Sequence, residues 1–445
     1  MTTSEYLEQH RESHLEQLKE LIRIPSQSGD SRNRQDIRNA AAWLRDRFEA
    51  IGMENATVLE TDRHPVVYAD WLHAGGQPTV IFYAHYDVQP VDPLDLWQSP
   101  PFEPEVRDGR LYGRGASDDK LGVITVLAAL ETLIAVEGRL PVNVKICFEG
   151  EEEIGSPSLG ACLLKERKRF AGDLVVSADG GQWSLDTPNL ILGLRGATSL
   201  ELHVSGPSGD LHSGMHGGAV LNPLEAIARI LASMRLPDGT IAVDGFYDDV
   251  DPIDPQAEAL AARVPFDETG YTERLGVPAL HGEPGFSTQQ RRTSRPTLEI
   301  NGIWGGFQGE GMKTVIPSEA HAKITCRLVA SQNPDRIFHL IREHVERETP
   351  VGVRAEVHFG GVRADAYSMS LDHPAIRIAR SVLQDLYGKD PYACRIGGAF
   401  PSCPSSGKSS AWTRWSVVGE RRIPISTPPT STSTWRVLNA AGSDT

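Results

Sequence analysis

Four short segments of this sequence carry side chains suited to holding metal ions or moving protons. They are His85-Tyr86-Asp87, Ser117-Asp118-Asp119-Lys120, Glu151-Glu152-Glu153 and Ser177-Ala178-Asp179. Each alone has an ordinary explanation. An Asp pair can cap the helix that follows it. Three glutamates in a row commonly form a solvated face, and one Asp after a strand is commonly a turn residue. Together they read differently. An imidazole with several carboxylates suits Zn²⁺, Mn²⁺ or Co²⁺. Two such ions ~3.5–4 Å apart need a shared carboxylate between them. A carboxylate free of the ions is then needed as general base. Adjacent glutamates can supply one ligand and one base.

The elements that must position these segments are legible. Val80-Ile81-Phe82-Tyr83-Ala84 reads as a buried strand leading into His85. Residues 142–148 form a second strand ending in the glutamates, and 174–178 a third ending at Asp179. An apolar helix at 121–135 follows Asp118-Asp119. Helices are also expected at 13–24, with Leu15, Leu18, Leu21 and Ile22 on one stripe, and at 36–51. This alternation predicts an α/β layer with a mostly parallel central sheet, whose ligands bind beyond the carboxyl ends of the strands. After Arg195-Gly196 the texture becomes α+β, with alternating strands at 198–204 and 320–328 and helices at 222–234 and 335–346. A helix at 374–387 that buries Ile376, Ile378, Ala379, Val382 and Leu383 then returns to the first layer. The expected organisation is a discontinuous catalytic domain, 1–195 plus 365–445, interrupted by a domain at 196–364.

Composition sets bounds on partners. The 445 residues carry a net charge of −15, which gives no electrostatic grip on nucleic acid. No run of apolar residues is long enough to span a membrane, and the polar first twenty residues predict no secretory signal. The five cysteines are odd in number and lack a CxxC pair, as expected of reduced thiols in the cytoplasm.

Five motifs then occur in order: AHYDVQP (84–90), GRGASDDKLG (113–122), FEGEEEIGS (148–156), DLHSGMHGG (210–218) and TVIPSEAHAKITCRL (314–328). In these the chain resembles the M20 family of metallopeptidases, in its dipeptidase, carnosine-dipeptidase-like branch. The resemblance implies a two-metal aminopeptidase-like catalytic domain with an inserted lid and dimerisation domain. It implies His85 and Asp179 on one metal, Asp118 bridging both, and Glu153 on the second. Glu152 would be the general base on a water shared by the ions, and Asp87 would orient His85. The cofactors implied are two divalent ions, Zn²⁺ first, with Mn²⁺ or Co²⁺ as alternatives. The partners implied are a small peptide substrate and a second copy of the chain, joined through the lid. His212 would reach across that dimer to an oxyanion. Arg327 and Thr314 would hold the substrate's carboxylate end or the oxyanion. An N-acyl-amino-acid deacylase is the alternative chemistry for such a site. His203, His216, His281 and His373 match no ligand position and read as structural or surface residues. Gly113 and Gly115 lack a third spaced glycine, so no nucleotide site is expected.

One departure falls on the chemistry. The family closes its site with a later histidine, in a segment like NIHAPNE preceded by GGSIP, yet no histidine follows His373 here. A one-base shift reconciles the two. Gly398-Ala399-Phe400-Pro401 is compatible with the codons GGA GCA TTC CCC, which read from the third base give Ser-Ile-Pro. Residues 423–435, read with the same offset, can give Ser-Asn-Ile-His-Ala-Pro-Asn-Glu-His-Phe-His-Leu, with the lost histidine over Ser426 and Thr427. Residues 399–445 therefore read as the product of a one-base loss. An inactive homologue is the competing functional reading.

Overall fold

The computed structural model describes residues 1–180, 187–253 and 255–396, so the expectations for 399–445 lie outside the described residues. The chain divides into two units. The first contains Met1–Asn189 and Pro374–Pro391, and the second contains Leu190–His373 and the segment that begins at Tyr392.

The first unit runs α1 (Thr3–Arg23), α2 (Arg34–Ala50), β1 (Glu54–Leu59), β2 (Val66–Trp71), β3 (Thr79–His85), a small hairpin of β4 (Glu105–Arg107) and β5 (Arg110–Tyr112), α3 (Lys120–Glu137), β6 (Asn143–Glu149), α4 (Leu159–Lys165) and β7 (Leu174–Ser177). Its sheet has the order β1-β2-β6-β3-β7. Strands β6, β3 and β7 are parallel, β2 is antiparallel to β6, and β1 is antiparallel to β2. The α/β layer expected from the sequence is present. The antiparallel pairing at this edge is the part that alternation did not reveal: β1 is at least partly exposed throughout, and β2 is a short buried run whose direction the sequence does not mark.

Helix α1 starts well before its apolar stripe. A capping box starts it: the Thr2 hydroxyl accepts from the Glu5 N–H at 3.2 Å, and the Glu5 carboxylate accepts from the Thr2 N–H at 2.7 Å. Its inward face (Leu18, Leu21, Ile22) meets Ile37, Leu44 and Phe48 of α2, Val123, Ile124 and Leu127 of α3, and Ile146 and Phe148 of β6 in one core. Lys120, at the start of α3, is fully buried and donates to the carbonyls of Leu21 and Ile24 at 2.9 and 2.7 Å. The C-terminal end of α1 is where unpaired helix carbonyls need such donors. Burial pushes this ammonium down to about 7.

The second unit runs β8 (Asn189–Leu194), β9 (Gly196–Ser205), β10 (Leu211–His212), α5 (Ser213–His216), α6 (Pro223–Ser233), α7 (Pro255–Ala261), α8 (Glu268–Leu275), α9 (Thr288–Thr293), β11 (Thr297–Gly305), β12 (Val315–Ile316), β13 (Glu319–Leu328), α10 (Pro334–Glu348), β14 (Arg354–Ala364) and β15 (Tyr367–Ser368), with β16 (Tyr392–Ile396) added after the helix α11 (Pro374–Tyr387). Strands β11-β13-β9-β14 form an antiparallel sheet. Along β13, residues 320, 322, 324, 326 and 328 are buried and their alternates are not. The buried set packs with Ile227 and Ile230 of α6 and Ile337 and Ile341 of α10 in a separate core. The helices cover one face of this sheet, which leaves the other face polar.

Helix α11 (Pro374–Tyr387) has the predicted bounds. The burial expected of it needs correction. Ile376 is buried, Ala379, Val382 and Leu383 are half-buried, and Ile378 is exposed. The reason is angular: residues two apart on a helix point about 200° apart, so Ile376 and Ile378 cannot share a face. Cys147, Cys162 and Cys326 are free buried thiols. Among the described residues no helix is long and apolar enough to cross a membrane.

Candidate metal centre

The chemistry-bearing segments of the first unit lie where three parallel strands end. His85 is the last residue of β3 and pairs in register with Glu149, the last residue of β6. Asp179 follows the end of β7 by two residues. The His85 ring is buried, and its Nε2 lies 3.0 Å from Asp118 Oδ1 and 3.9 Å from Asp179 Oδ2. One ligand atom from each of His85, Asp118 and Asp179 falls within 4.8 Å of the others. One imidazole nitrogen and two carboxylate oxygens this close fit a divalent metal ion. Glu152 Oε2 stands 4.0 Å from the same Nε2.

Asp87 ties two of the loops together. Its backbone carbonyl lies 3.1 Å from His85 Nδ1, and its carboxylate Oδ1 lies 3.4 Å from that nitrogen. The same carboxylate accepts from the N–H groups of Glu152 and Glu153 at 3.2 and 3.1 Å. With Nδ1 occupied, Nε2 is left to face Asp118 and Asp179. The three consecutive glutamates separate into distinct roles. Glu151 is buried and accepts from the N–H groups of His64 and Ser158 at 2.6 and 2.8 Å, so it braces the loop. Glu153 accepts from the Gln89 side chain at 2.7 Å. Glu152 has its backbone fixed by Asp87 and its carboxylate directed at the His85 side of the site.

The packing of carboxylates has electrostatic consequences. Burial, reinforced by Asp179, Glu153 and Asp87 and opposed by His85, pushes the Glu152 carboxyl up to about 7. Burial also raises Glu153 and Asp179 above the usual carboxylate range. Hydrogen bonding to His85 lowers Asp118. For His85 burial works downward, but the hydrogen bonds to Asp118 and Asp87 outweigh it and hold the imidazole well above its ordinary value. A cluster of acids that repel one another is a place where a cation binds favourably.

One residue beside the site, Gly122, carries no signal of its role in the sequence. Asp119 is buried and its carboxylate accepts from the His85 N–H at 3.2 Å. Gly122, one turn into α3, leaves space for it: a Cβ there would stand 2.1 Å from Asp119 Oδ1 and 2.6 Å from the Ala178 carbonyl. The Asp118–Asp119 peptide is cis.

The remaining predicted residues lie in the second unit. His212 ends β10, opposite Val315 of β12. Its Nδ1 accepts from the Gly214 N–H at 3.0 Å, so a neutral ring carries its proton on Nε2, which lies 3.3 Å from the Thr314 hydroxyl. Arg327 is half-buried on β13, opposite Thr297 and Ala197. Burial, with the charges of Arg327 and Arg292 and against that of Glu299, pushes the Arg195 guanidinium down to about 10.

Residues 81–403 match the profile of Peptidase family M20/M25/M40. The chain belongs to this family. It is 29% identical over 412 residues to the Cys-Gly metallodipeptidase dug1 of Schizosaccharomyces pombe, covering 89% of this chain and 86% of that protein. It is 29% identical over 416 residues to the Beta-Ala-His dipeptidase of Homo sapiens, covering 89% and 82%. The crystal structure of the M20 family metallo-carboxypeptidase Sso-CP2 from Sulfolobus solfataricus superposes with a TM-score of 0.78 at 30% identity, covering 87% of each chain. This chain is therefore an enzyme of the peptidase class with a donor set for divalent metal.

Two predictions follow for this M20 peptidase. A Gly122→Ala substitution should displace Asp119 and weaken metal binding about 10–100-fold, as loss of an outer partner does. Equilibrium dialysis measures it, and unchanged affinity would show that the loop has room after all. The second concerns Glu149, which is fully buried. The hydroxyls of Tyr83 and Ser156 donate to its Oε1 at 2.6 and 2.8 Å, and its Oε2 has no hydrogen-bond partner. Burial pushes this carboxyl up to about 8, aided by Asp87 and Glu152 and resisted by the hydroxyl donors. The folded chain then keeps a proton that the unfolded chain loses above the ordinary carboxyl range. The contribution of Glu149 to stability accordingly falls as pH rises towards about 8. Glu149→Gln removes that titration. In urea denaturation of metal-free protein, the variant should gain on the wild type as pH rises from about 5 to about 8 and no further above it. A pH-independent difference would contradict the assignment.

Proposed function

We propose that this chain is a dipeptidase-type amide hydrolase working with two divalent ions, Zn²⁺ foremost. The observation that carries the reading is the convergence of His85, Asp118 and Asp179, with Glu152 beside them at 4.0 Å from His85 Nε2. His85, Asp118 and Asp179 would hold the first ion, and Asp118 with Glu153 the second. When bound, the ions supply Lewis-acid polarisation of the amide carbonyl and acidification of water. Glu152 takes the proton from the attacking water and returns it to the departing amine. Asp87 keeps the His85 ring and the Glu152 backbone in register. Across the dimer, the Nε2–H of His212 would donate to the developing oxyanion of the other protomer's site, and Arg327 and Thr314 would hold the substrate's carboxylate end or the oxyanion. Residues 196–364 form the lid and dimerisation domain between catalytic segments 1–195 and 365–445, and the homodimer works in the cytoplasm on small peptides. The names of the yeast and human relatives support dipeptides as the substrate class. A second reading, an inactive homologue, is favoured by the absence of any histidine after His373.

The test is removal of metal with a chelator, readdition of Zn²⁺, Mn²⁺ or Co²⁺, and assay of free dipeptides beside N-acetyl amino acids. Metal-restored cleavage of dipeptides supports the proposal. Cleavage confined to N-acetyl amino acids would make the enzyme a deacylase, and metal-independent cleavage would overturn the mechanism. Sedimentation of protein with and without residues 196–364 tests the dimer.

A further inference from the structure

We propose that the polar face of the β11-β13-β9-β14 sheet carries a further metal site, formed by His203, His321 and Glu319 and selective for borderline divalent cations. It shares no residue with the candidate metal centre of the first unit. His203 of β9 and His321 of β13 are directly opposite one another in the antiparallel register. Trp304 of β11 stands opposite His321 on its other side. The three rings form a row: His203 and His321 have centroids 4.5 Å apart with planes 8° apart, and Trp304 and His321 have centroids 4.9 Å apart with planes 9° apart. Stacking of this kind restricts the rotamers of both imidazoles before any ligand arrives, which lowers the entropy cost of binding.

Glu319 lies two residues before His321, so its side chain shares the same face. Its two oxygens divide between the two rings, with Oε2 3.3 Å from His203 Nε2 and Oε1 3.6 Å from His321 Nε2. One ligand atom from each residue lies within 4.8 Å of the others. Contact with Glu319 turns both edge nitrogens towards one carboxylate, the arrangement of donors that a cation held by two imidazoles and a carboxylate needs. The side chains of His203, His321 and Glu319 are 34%, 24% and 57% exposed, so an ion can reach them and keep water as its remaining ligand. The Lys323 ammonium, 5.8 Å from the Trp304 ring centroid, is paired with Glu201 at 3.6 Å. Glu356, opposite His203 on β14, adds negative charge to the same row. Two imidazoles and one carboxylate favour Zn²⁺, Ni²⁺ or Cu²⁺ over Ca²⁺ or Mg²⁺. A second grouping, His203 with Glu356 and His358, shares His203, but the ring stack places His321 as its partner.

The experiment uses the full chain, stripped with chelator and dialysed against Ni²⁺. Wild-type protein should hold one more ion at micromolar free Ni²⁺ than either His203→Gln or His321→Gln. Glu319→Gln should weaken that ion about tenfold, and His358→Gln should leave it in place. The His85→Ala chain should keep the site, which separates it from the first-unit centre. With Cu²⁺, electron paramagnetic resonance should report two coupled imidazole nitrogens, falling to one in each histidine variant. Far-ultraviolet circular dichroism verifies that the variants fold. Equal stoichiometry in wild type and the His321 variant, binding only at millimolar metal, or loss of the ion in the His358 variant would each overturn the proposal.

Discussion

Replacing Glu152 by Gln, in protein whose C-terminal frame is restored, should cut turnover by ~10²–10⁴ while leaving metal content intact. Gln has the same shape and keeps the Glu152 N–H bonded to Asp87. It loses only the ability to accept a proton. The carboxyl it replaces is pushed up to about 7, chiefly by burial. A base serves best when its pKa lies near the working pH, because it is then both available and strong enough. A bound cation draws the same carboxyl downward and keeps it ionised at neutral pH. Metal analysis and steady-state kinetics on one preparation separate the outcomes. Turnover that survives removes Glu152 from the role of base. Turnover lost together with a metal ion would make Glu152 a ligand instead.

Much of this site is legible in the sequence because parallel strands advertise their ends. An apolar run such as Val80–Ala84 that stops at His85 marks both a buried strand and the polar groups it presents. The spacing of Asp118 from the apolar helix after it is equally plain. Other features are set by distant partners. Nothing in Glu151-Glu152-Glu153 distinguishes the loop brace from its neighbours, because the distinction comes from the backbone N–H groups of His64 and Ser158. Gly122 reads as one small residue in a helix until Asp119 is seen folded against it. Strand β1 was not legible because its exposure is not periodic. The spacing of His203 and His321 in the sequence does not show that strand pairing sets them opposite one another. Sequence motifs capture chemistry that is local along the chain and miss chemistry assembled across strands.

Reinserting one nucleotide at codon 398 should raise metal occupancy of the first-unit centre and dipeptide hydrolysis together. His85, Asp118 and Asp179 already converge, so a first ion has three protein ligands. On the proposed assignment a second ion would have Asp118 and Glu153, and Glu153 is engaged by Gln89 at 2.7 Å. No histidine after His373 completes that set, whereas the shifted frame supplies one over Ser426 and Thr427. Losing a direct ligand should cost the second ion at least the ~10–100-fold in affinity that loss of an outer partner costs. Metal affinity is also folding free energy, so the restored protein should melt at a higher temperature in the presence of metal. The chain as it stands should then hold the first ion and cleave dipeptides weakly or not at all. Metal stoichiometry, measured in the His321→Gln background so that the sheet-face site does not contribute, gives the count. If the unrestored chain already holds two ions in this centre and matches the restored protein in turnover, another residue replaces the missing histidine and the frame has no catalytic consequence.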